Sequence, residues 1–411
     1  MSIIYKILEG DTFEIIARKT HGIESAAGLI AAANPGVVEP LTPGIEINIP
    51  DLQGAPKDPP QQAVAQNEDE VAILIDGVRF RRWSTVRIIR SLDAMDIVEF
   101  GAPFDEELPG FREAFRPFSY KDLAVTVGGS PLFTGTMVAV SPVLDTDRRS
   151  VSVSGYSKPG VLNDCTAPAS AYPLEFDNLG LLDIALKLSE PFGVAVELEA
   201  DQGAVFDRVA LTPAKKILAF LIELAKQRNL IVSSTSEGSL LFDKSTDSGS
   251  PVAILAQGSS PVTDVTPFFS PQEYYSHITG LEPVITGLQG SQFTVKNPRL
   301  LGVVRPITFT VQDTQDADVK TAVGAKAARM FGAAVTYIVG LDTWRDPSGK
   351  LWEPNTTVKL TAPGAMIYTE FEFVIRSVEF SRAGSSETAA LTLVLPGSFS
   401  GEIPEAMPWD G

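Results

Sequence analysis

VAILIDGVRF, residues 71–80, carries the strongest signal of local structure in this chain. Five apolar residues precede Asp76-Gly77, a dipeptide typical of two-residue β-hairpin turns, and a returning arm follows. The pattern recurs where apolar arms at 123–127 and 132–140 flank a Gly-Gly-Ser turn, and 151–154 alternates again. The sequence therefore predicts a small β-barrel or β-sandwich over residues 70–165.

The chain alternates between β-rich and helical regions after this segment. Residues 166–250 are predicted to form an α+β insert. It contains a helix capped by Asp177-Asn178, a second helix beginning at Thr212, and a hairpin over 230–242. Residues 251–400 return to β patterning apart from an Ala-rich helix at 316–331, and 401–411 form an irregular tail. The predicted fold class is mainly β with α+β parts.

The first fifty residues predict a separate βααβ module. Strands are expected at 3–8 and 45–49, with helices at 13–19 and 25–33 between them. Residues 51–69 are rich in proline and polar residues, as in semi-extended spacers, and predict a linker.

The N-terminal module resembles a LysM domain. The residues that carry the resemblance are Tyr5, Gly10-Asp11-Thr12-Phe13, Ile16-Ala17, Leu29, Asn34-Pro35, Leu41, Pro43-Gly44, Ile47 and Ile49-Pro50. LysM domains bind N-acetylglucosamine glycans such as peptidoglycan. The resemblance implies a glycan site at Gly10, Asp11, Thr12, Asn34 and Pro35. Because tight turns and helix caps require the same residue types, a docking or spacer role is the other interpretation.

The composition excludes several kinds of chemistry. Among 411 residues there is one Cys, which excludes a disulfide within the chain and a multi-thiolate zinc site. The two His leave little for a His-based metal centre or acid–base relay. No phosphate-binding loop motif occurs, and the cluster of Asp313, Asp316 and Asp318 is better explained as a helix N-cap than as a metal site. We predict no enzymatic activity, no cofactor and no metal.

The net charge and the hydropathy pattern indicate which partners the chain can bind and where it is made. The formal charge is −18, which argues against a general nucleic-acid-binding surface. Neither a signal peptide nor a stretch of about 18 apolar residues is present, so synthesis in the cytoplasm without a membrane anchor is expected.

The segment at 79–90 is basic, although the chain as a whole is acidic. In one continuous alternating strand, Arg79, Arg81, Trp83 and Arg87 would share a face. That face could be a docking surface for an acidic partner. An exposed outer strand whose charges prevent edge pairing is an equal alternative.

Residues 70–400 resemble the baseplate hub protein of Mu-like contractile-tailed phages. Gly155-Tyr156-Ser157-Lys158 and Leu162-x-Asp164-Cys165-Thr166-Ala167-Pro168 form the most specific part of the match. Tyr156 replaces the basic residue that is usual in the family. The other matching segments are 71–77, Trp83, Arg87, 90–93, 127–129, 132–135, Val151, Val153 and 346–355.

The hub resemblance implies a trimer in which each chain contributes two tube-like β-domains, here 70–165 and 251–400. Such a ring joins the sixfold tail tube to the threefold central spike, contacts baseplate wedge proteins and lets DNA pass. The expected location is therefore the virion. The net charge suggests the hypothesis of an acidic lumen that repels DNA. The alternative function is a peptidoglycan-binding LysM protein or cell-wall hydrolase.

Overall fold

A computed structural model describes most of the chain, which divides into two compact units, Met1–Asn67 and Glu68–Gly411. The described residues are 3–7, 11–13, 15–17, 27–38, 40–49, 70–105, 107, 110–145, 149–246, 249–281, 292–300, 302–310, 319–399 and 406–410. The predicted linker at 51–69 and the aspartates at 313, 316 and 318 lie outside them.

The N-terminal unit has the predicted strand–helix–helix–strand order. Strand β1 (Ile3–Lys6) pairs antiparallel with β2 (Glu46–Ile49), residues 13 and 15–17 are helical, and helix α1 spans Ala27–Ala33. A small core closes the unit, formed by Ile7, Phe13, Ile16, Ala17, Ile30, Leu41, Ile47 and Ile49. The LysM assignment of this unit stays a prediction.

The larger unit is built on one 13-stranded sheet. Its strands are β3 (Val71–Ile75), β4 (Val78–Phe80), β5 (Thr85–Ser91), β6 (Ile97–Pro103), β7 (Asp122–Val127), β8 (Ser130–Leu144), β9 (Arg149–Ser157), β15 (Ala253–Ala256), β16 (Val262–Phe269), β20 (Val335–Leu341), β21 (Thr357–Ala362), β22 (Ile367–Ala383) and β23 (Ser386–Val394). The order is β16-β20-β23-β22-β5-β6-β9-β8-β7-β3-β4, and β21 pairs with both β15 and β22. The short helix α2 (Phe111–Ala114) precedes β7.

The two predicted β-regions meet in this sheet. Strand β5 of the first region pairs antiparallel with β22 of the second, from Ser91↔Ser377 to Thr85↔Ala383. One hydrophobic core contains residues of both regions, including Phe100 and Phe133 from the first and Tyr337 and Phe380 from the second. The sequence could not indicate this pairing because the partner strands lie almost 300 residues apart.

The first β-region begins with the predicted hairpin and curls back on itself. Asp76 and Gly77 adopt φ values of 49° and 76°, the left-handed conformation that a type I′ turn requires at both positions. Although β4 and β6 are separated by four strands in the sheet order, the Phe80 and Phe100 rings lie 6.0 Å apart. A flat sheet could not bring these rings together, so this part of the sheet is strongly curved.

The predicted α+β insert is present with its own core. Helices α3 (Val161–Asp164), α4 (Leu181–Ser189) and α5 (Ile217–Gln227) pack with strands β10 (Glu175–Leu179), β11 (Val196–Leu198), β12 (Phe206–Ala210), β13 (Ile231–Ser234) and β14 (Leu240–Asp243). Strands β13 and β14 form the predicted hairpin, and β11 adds parallel to β14.

Two predicted helix starts in the insert are wrong. Asp177 and Asn178 lie in β10, and Gly180 is the N-cap of α4. Thr212 begins a turn instead of a helix, because the Lys215 amide bonds to its carbonyl at 3.2 Å and Ala214 takes a left-handed φ of 71°. Helix α5 begins five residues later, at Ile217.

A separate three-stranded sheet is covered by the Ala-rich helix. Strand β17 (His277–Leu281) lies between β18 (Gln292–Lys296) and β19 (Pro306–Thr310). Helix α6 (Val319–Ala334) packs Val323, Ala327 and Phe331 against this sheet. The fold is therefore mainly β with α+β parts, as predicted.

Candidate functional site

A charged ladder crosses the seam between the two β-regions. In central strand β5, the Arg87 Nε and Nη2 atoms donate to the two carboxylate oxygens of Glu379 on β22 at 2.7 and 2.8 Å. Its Nη1 atom reaches Glu99 on β6 at 3.3 Å. Planar, two-point pairing of this kind is the stronger form of ion pair and fixes strand register. Glu379 therefore raises the pKa of Arg87, although the pair is partly exposed to solvent.

The predicted docking face of Arg79, Arg81, Trp83 and Arg87 does not exist as one strand face. Strand β4 ends at Phe80, and β5 begins at Thr85. Arg79 pairs with Glu70 at the edge of the sheet, Trp83 packs partly into the main core, and Arg87 is held at the seam. The interruption at 81–84 places the four residues in different surroundings, so the prediction is corrected.

The segment most specific to the hub resemblance lies where the sheet enters the insert. Tyr156, in β9, packs against Gly160, where an added Cβ would lie 2.4 Å from the Tyr156 ring. Burial, then a hydrogen bond to Asp164, raises the pKa of Tyr156. The residue that departs from the family pattern therefore has a packing role here, and Cys165 lies half-buried just after α3.

The insert is joined to the sheet by a buried polar contact. The Asp96 backbone amide donates to Ser234 Oγ on β13 at 3.0 Å, while the Asp96 carboxylate accepts from the Ser91 amide at 3.2 Å and Arg90 Nε at 3.3 Å. An apolar cluster completes the junction, formed by Leu92, Ile231, Val374 and Val394 with Phe399 at its margin. Asp96 could not be recognised from the sequence, because nothing in its local sequence distinguishes it from the other 50 acidic residues.

Asp96 should make the stability depend on pH. Burial raises its pKa from 3.8 to about 7, against the opposing charge of Arg90. The native state then holds a proton that the unfolded chain releases, so stability falls as pH rises from about 4 to 7. We expect a loss of up to about 1.4 kcal/mol per pH unit between pH 5 and 7 in urea unfolding. Asp96→Asn should remove this slope.

Asp93→Asn is the matched control, since Asp93 is a partly exposed carboxylate three residues away that pairs with Arg376. That variant should keep the slope. An Asp96→Asn protein with the slope of the unmodified chain would contradict the assignment.

The predicted glycan residues form bonds inside the N-terminal unit. Asp11 is buried and accepts from the Tyr5 hydroxyl at 3.0 Å, and Thr12 Oγ1 accepts from the Ile15 amide at 3.2 Å as a helix cap. Asn34 Nδ2 donates to the carbonyls of Ile30 and Asn48. Pro35 is exposed, and Gly10 lies outside the described residues.

Asn34→Ala is expected to destabilise the N-terminal unit by about 1–2 kcal/mol. The side chain makes three bonds to backbone groups at 2.7–2.8 Å, each worth about 0.5–1.5 kcal/mol, partly replaced by water. Hydrogen-exchange mass spectrometry on residues 1–50 of the full chain would measure the loss of protection. Asn48→Ala is the control, because Asn48 contributes only its backbone and should change little.

The described part of the chain contains neither a cluster of metal-binding side chains nor a membrane-spanning helix. Within it, no group of three or more His, Cys, Asp or Glu side chains is positioned to hold a metal ion. None of its helices is long and apolar enough to cross a bilayer.

Comparison with known proteins places this architecture among phage tail proteins. Residues 159–244 match the family model described as baseplate hub protein gp44-like, second domain. The comparison with curated proteins found no match.

Three solved structures share the fold. The 43 kDa tail protein of prophage MuSo2 from Shewanella oneidensis is 23% identical, with a TM-score of 0.69 over 80% of this chain and 99% of that one. A Neisseria meningitidis tail protein is 20% identical, with a TM-score of 0.68 over 81% and 98%. Prophage tail protein gp18 from Listeria monocytogenes is 12% identical, with a TM-score of 0.52 over 79% and 94%.

These likenesses agree with the predicted location in a virion. The family match falls on the insert and its junction with the sheet, where the most specific part of the sequence resemblance also lies. Residues 159–244 thus match a gp44-like second domain, and the chain shares its fold with solved phage tail proteins, which agrees with the resemblance to a phage baseplate hub.

Proposed function

We propose that the chain is a structural baseplate hub that forms a homotrimer between the sixfold tail tube and the threefold central spike. The observation that carries the proposal is the joining of two β-regions into one sheet through β5 and β22. Three chains with two β-regions each supply six around one axis, which is the number that a hexameric tube requires.

The mechanism is mechanical. Because β5 and β22 share a ladder of hydrogen bonds and the Arg87–Glu379 pair, the two β-regions of a chain cannot shift independently. This rigidity would hold the spacing of the six regions while the tail contracts. No step in this role requires catalysis or a cofactor.

DNA would pass through the ring without specific binding. A formal charge of −18 per chain supports an acidic lumen, which would repel phosphate groups and prevent adhesion. A reconstruction of the assembled ring should place carboxylates along the bore. Acids confined to the outer wall around a neutral or basic bore would contradict this part of the proposal.

The N-terminal unit is proposed to dock onto neighbouring baseplate wedge proteins. Asp11, Thr12 and Asn34 are engaged in bonds within the unit, which favours this role over glycan recognition. A peptidoglycan pull-down should retain the full chain no better than a chain that begins at Glu70. Strong retention that depends on residues 1–50 would instead support the cell-wall function.

The partner assignment is tested with the tail tube and spike proteins of the same virion. Mixed with either purified protein, the chain should co-migrate in size-exclusion chromatography, with three copies per spike trimer. If the chain binds neither the tube protein nor the spike protein, the adaptor role is contradicted. A chain lacking residues 1–69 should still bind them, because the proposal assigns tube and spike contacts to the larger unit.

A further inference from the structure

A cationic cavity of about 250 Å³ lies between the insert and the main sheet. Lys226 at the end of α5, Arg329 on α6 and Arg376 on β22 all line it, together with Asp93. Apolar side chains form much of the remaining wall, among them Ile222, Leu230 and Phe399. The cavity thus combines a cluster of positive charges with an apolar surface.

Only one of the three cations has an acidic partner among the described residues. Arg376 pairs with Asp93 through two contacts, Nη2–Oδ2 at 2.9 Å and Nε–Oδ1 at 3.2 Å. Within the described part of the chain, Lys226 and Arg329 form neither a hydrogen bond nor an ion pair through their side chains. Their charges, with the Arg376–Asp93 pair neutral, leave the cavity with a formal charge of +2.

Arg329 is partly buried and Lys226 is exposed at the rim of the cavity, so Arg329 is desolvated and the two like charges repel each other. Burial lowers the pKa of both groups, and the charge of Arg329 lowers that of Lys226 further, while the charge of Asp93 partly opposes the lowering at both groups. The chain as a whole has 51 acids against 33 basic residues, so a shortage of carboxylates does not explain the imbalance. An anion that enters from outside would relieve the desolvation and the mutual repulsion together.

The size and lining of the cavity indicate the kind of anion. Pockets for drug-sized ligands occupy about 300–1,000 Å³, so a volume of about 250 Å³ suits a side chain or two better than a nucleotide. A guanidinium group pairs with a planar carboxylate through two parallel bonds. The apolar wall suits a hydrophobic residue adjacent to the acid.

We propose that this cavity is a docking site for an acidic segment of a partner protein, whose carboxylate lies between Lys226 and Arg329. The neighbouring apolar side chain of that segment packs against Ile222, Leu230 and Phe399. The proposal does not depend on the trimer, so either can fail without the other.

The test uses the peptide acetyl-Leu-Glu-Leu-amide and the full chain, with saturation-transfer NMR to follow binding. The Glu peptide should bind, and the otherwise identical Gln peptide should bind at least tenfold more weakly, because a charge-assisted hydrogen bond is involved. Lys226→Met and Arg329→Met should each reduce binding of the Glu peptide about tenfold or more. Lys350→Met, an exposed control, should bind like the unmodified chain.

Protein folding can be separated from binding in these variants. Neither Lys226 nor Arg329 forms an ion pair within the described residues, so replacing either with methionine should leave the urea midpoint unchanged or raise it, and lost binding would not reflect unfolding. Equal binding of the Glu and Gln peptides, or binding of inorganic phosphate without the peptide, would overturn the proposal. So would failure of the Glu peptide to bind.

A parallel experiment tests whether carboxylates of the chain itself occupy the cavity. Glu402 and Glu405 follow Phe399 closely in the sequence. Peptide binding that appears only after Glu402→Gln and Glu405→Gln would assign the cavity to the chain's own carboxylates and overturn the partner proposal. Equal peptide affinity with and without these substitutions would support it.

Discussion

Trp344→Ala is expected to lower the free energy of unfolding of the larger unit by about 3–5 kcal/mol. The side chain is only 1% exposed, and its ring contacts Phe380 edge-on at a centroid distance of 5.3 Å. Its Nε1 group donates to the Thr388 carbonyl at 2.8 Å. Alanine would leave a cavity in the core of the second β-region and would remove the donor to the Thr388 carbonyl. Urea unfolding at one fixed protein concentration would measure the loss.

Tyr368→Ala provides the comparison for Trp344→Ala. Tyr368 is a large aromatic residue of β22, but it is exposed, so its removal should cost about 0.5 kcal/mol or less. Equal losses in the two variants would show that Trp344 has no special role in the core.

Gly135→Ala is expected to destabilise the larger unit by about 3 kcal/mol, the upper end of the range for overpacking. An added Cβ at Gly135 in β8 would lie 2.0 Å from the Tyr156 carbonyl oxygen and 2.7 Å from the Phe133 ring. The obstacle is mainly backbone, and β9 is held in register by pairing along β8 and β6. The strands would therefore have to separate locally, which urea unfolding should detect.

Gly249→Ala is the control for Gly135→Ala, because the nearest atom to its added Cβ is the Thr246 methyl carbon at 4.0 Å. We expect it to change the unfolding free energy by about 0.5 kcal/mol or less. A Gly135→Ala protein as stable as the Gly249→Ala protein would contradict the close packing of β8 on β9.

Local structure was largely predictable from the sequence. The hairpin turn at Asp76-Gly77 follows from two residues that tolerate a positive φ, and the β13–β14 hairpin follows from short apolar arms around a turn. The helix start predicted at Thr212 failed because Ala214 adopts a left-handed conformation. Nothing in a Thr-Pro-Ala sequence signals that conformation, and tertiary packing of the insert overrides the local preference.

Long-range structure was not predictable. The seam between β5 and β22 pairs residues that are 292 positions apart in the case of Arg87 and Glu379, and sequence periodicity contains no information about such partners. The predicted docking face failed for a related reason. An alternating pattern over residues 78–90 cannot reveal that the chain leaves one strand at Phe80 and enters a different part of the sheet at Thr85.

The cationic cavity could not be predicted from the sequence either, because its residues come together only in the folded chain. Lys226, Arg329 and Arg376 come from three elements that are distant in the sequence, and each is unremarkable in its own segment. The resemblance of residues 155–168 to the hub family was informative because its glycines and Asp164 are close together in sequence and in space. Such short-range motifs are the part of a site that sequence analysis recognises best.

The mass of the full chain in solution tests the proposed hub function most directly. A single chain has a mass of 44.0 kDa, so sedimentation equilibrium should give about 132 kDa for the trimer alone and a larger mass when the spike protein is bound. The trimer should persist after deletion of residues 1–69. A protein that stays at 44.0 kDa at every concentration, both alone and with its tube and spike partners, would contradict the trimeric hub.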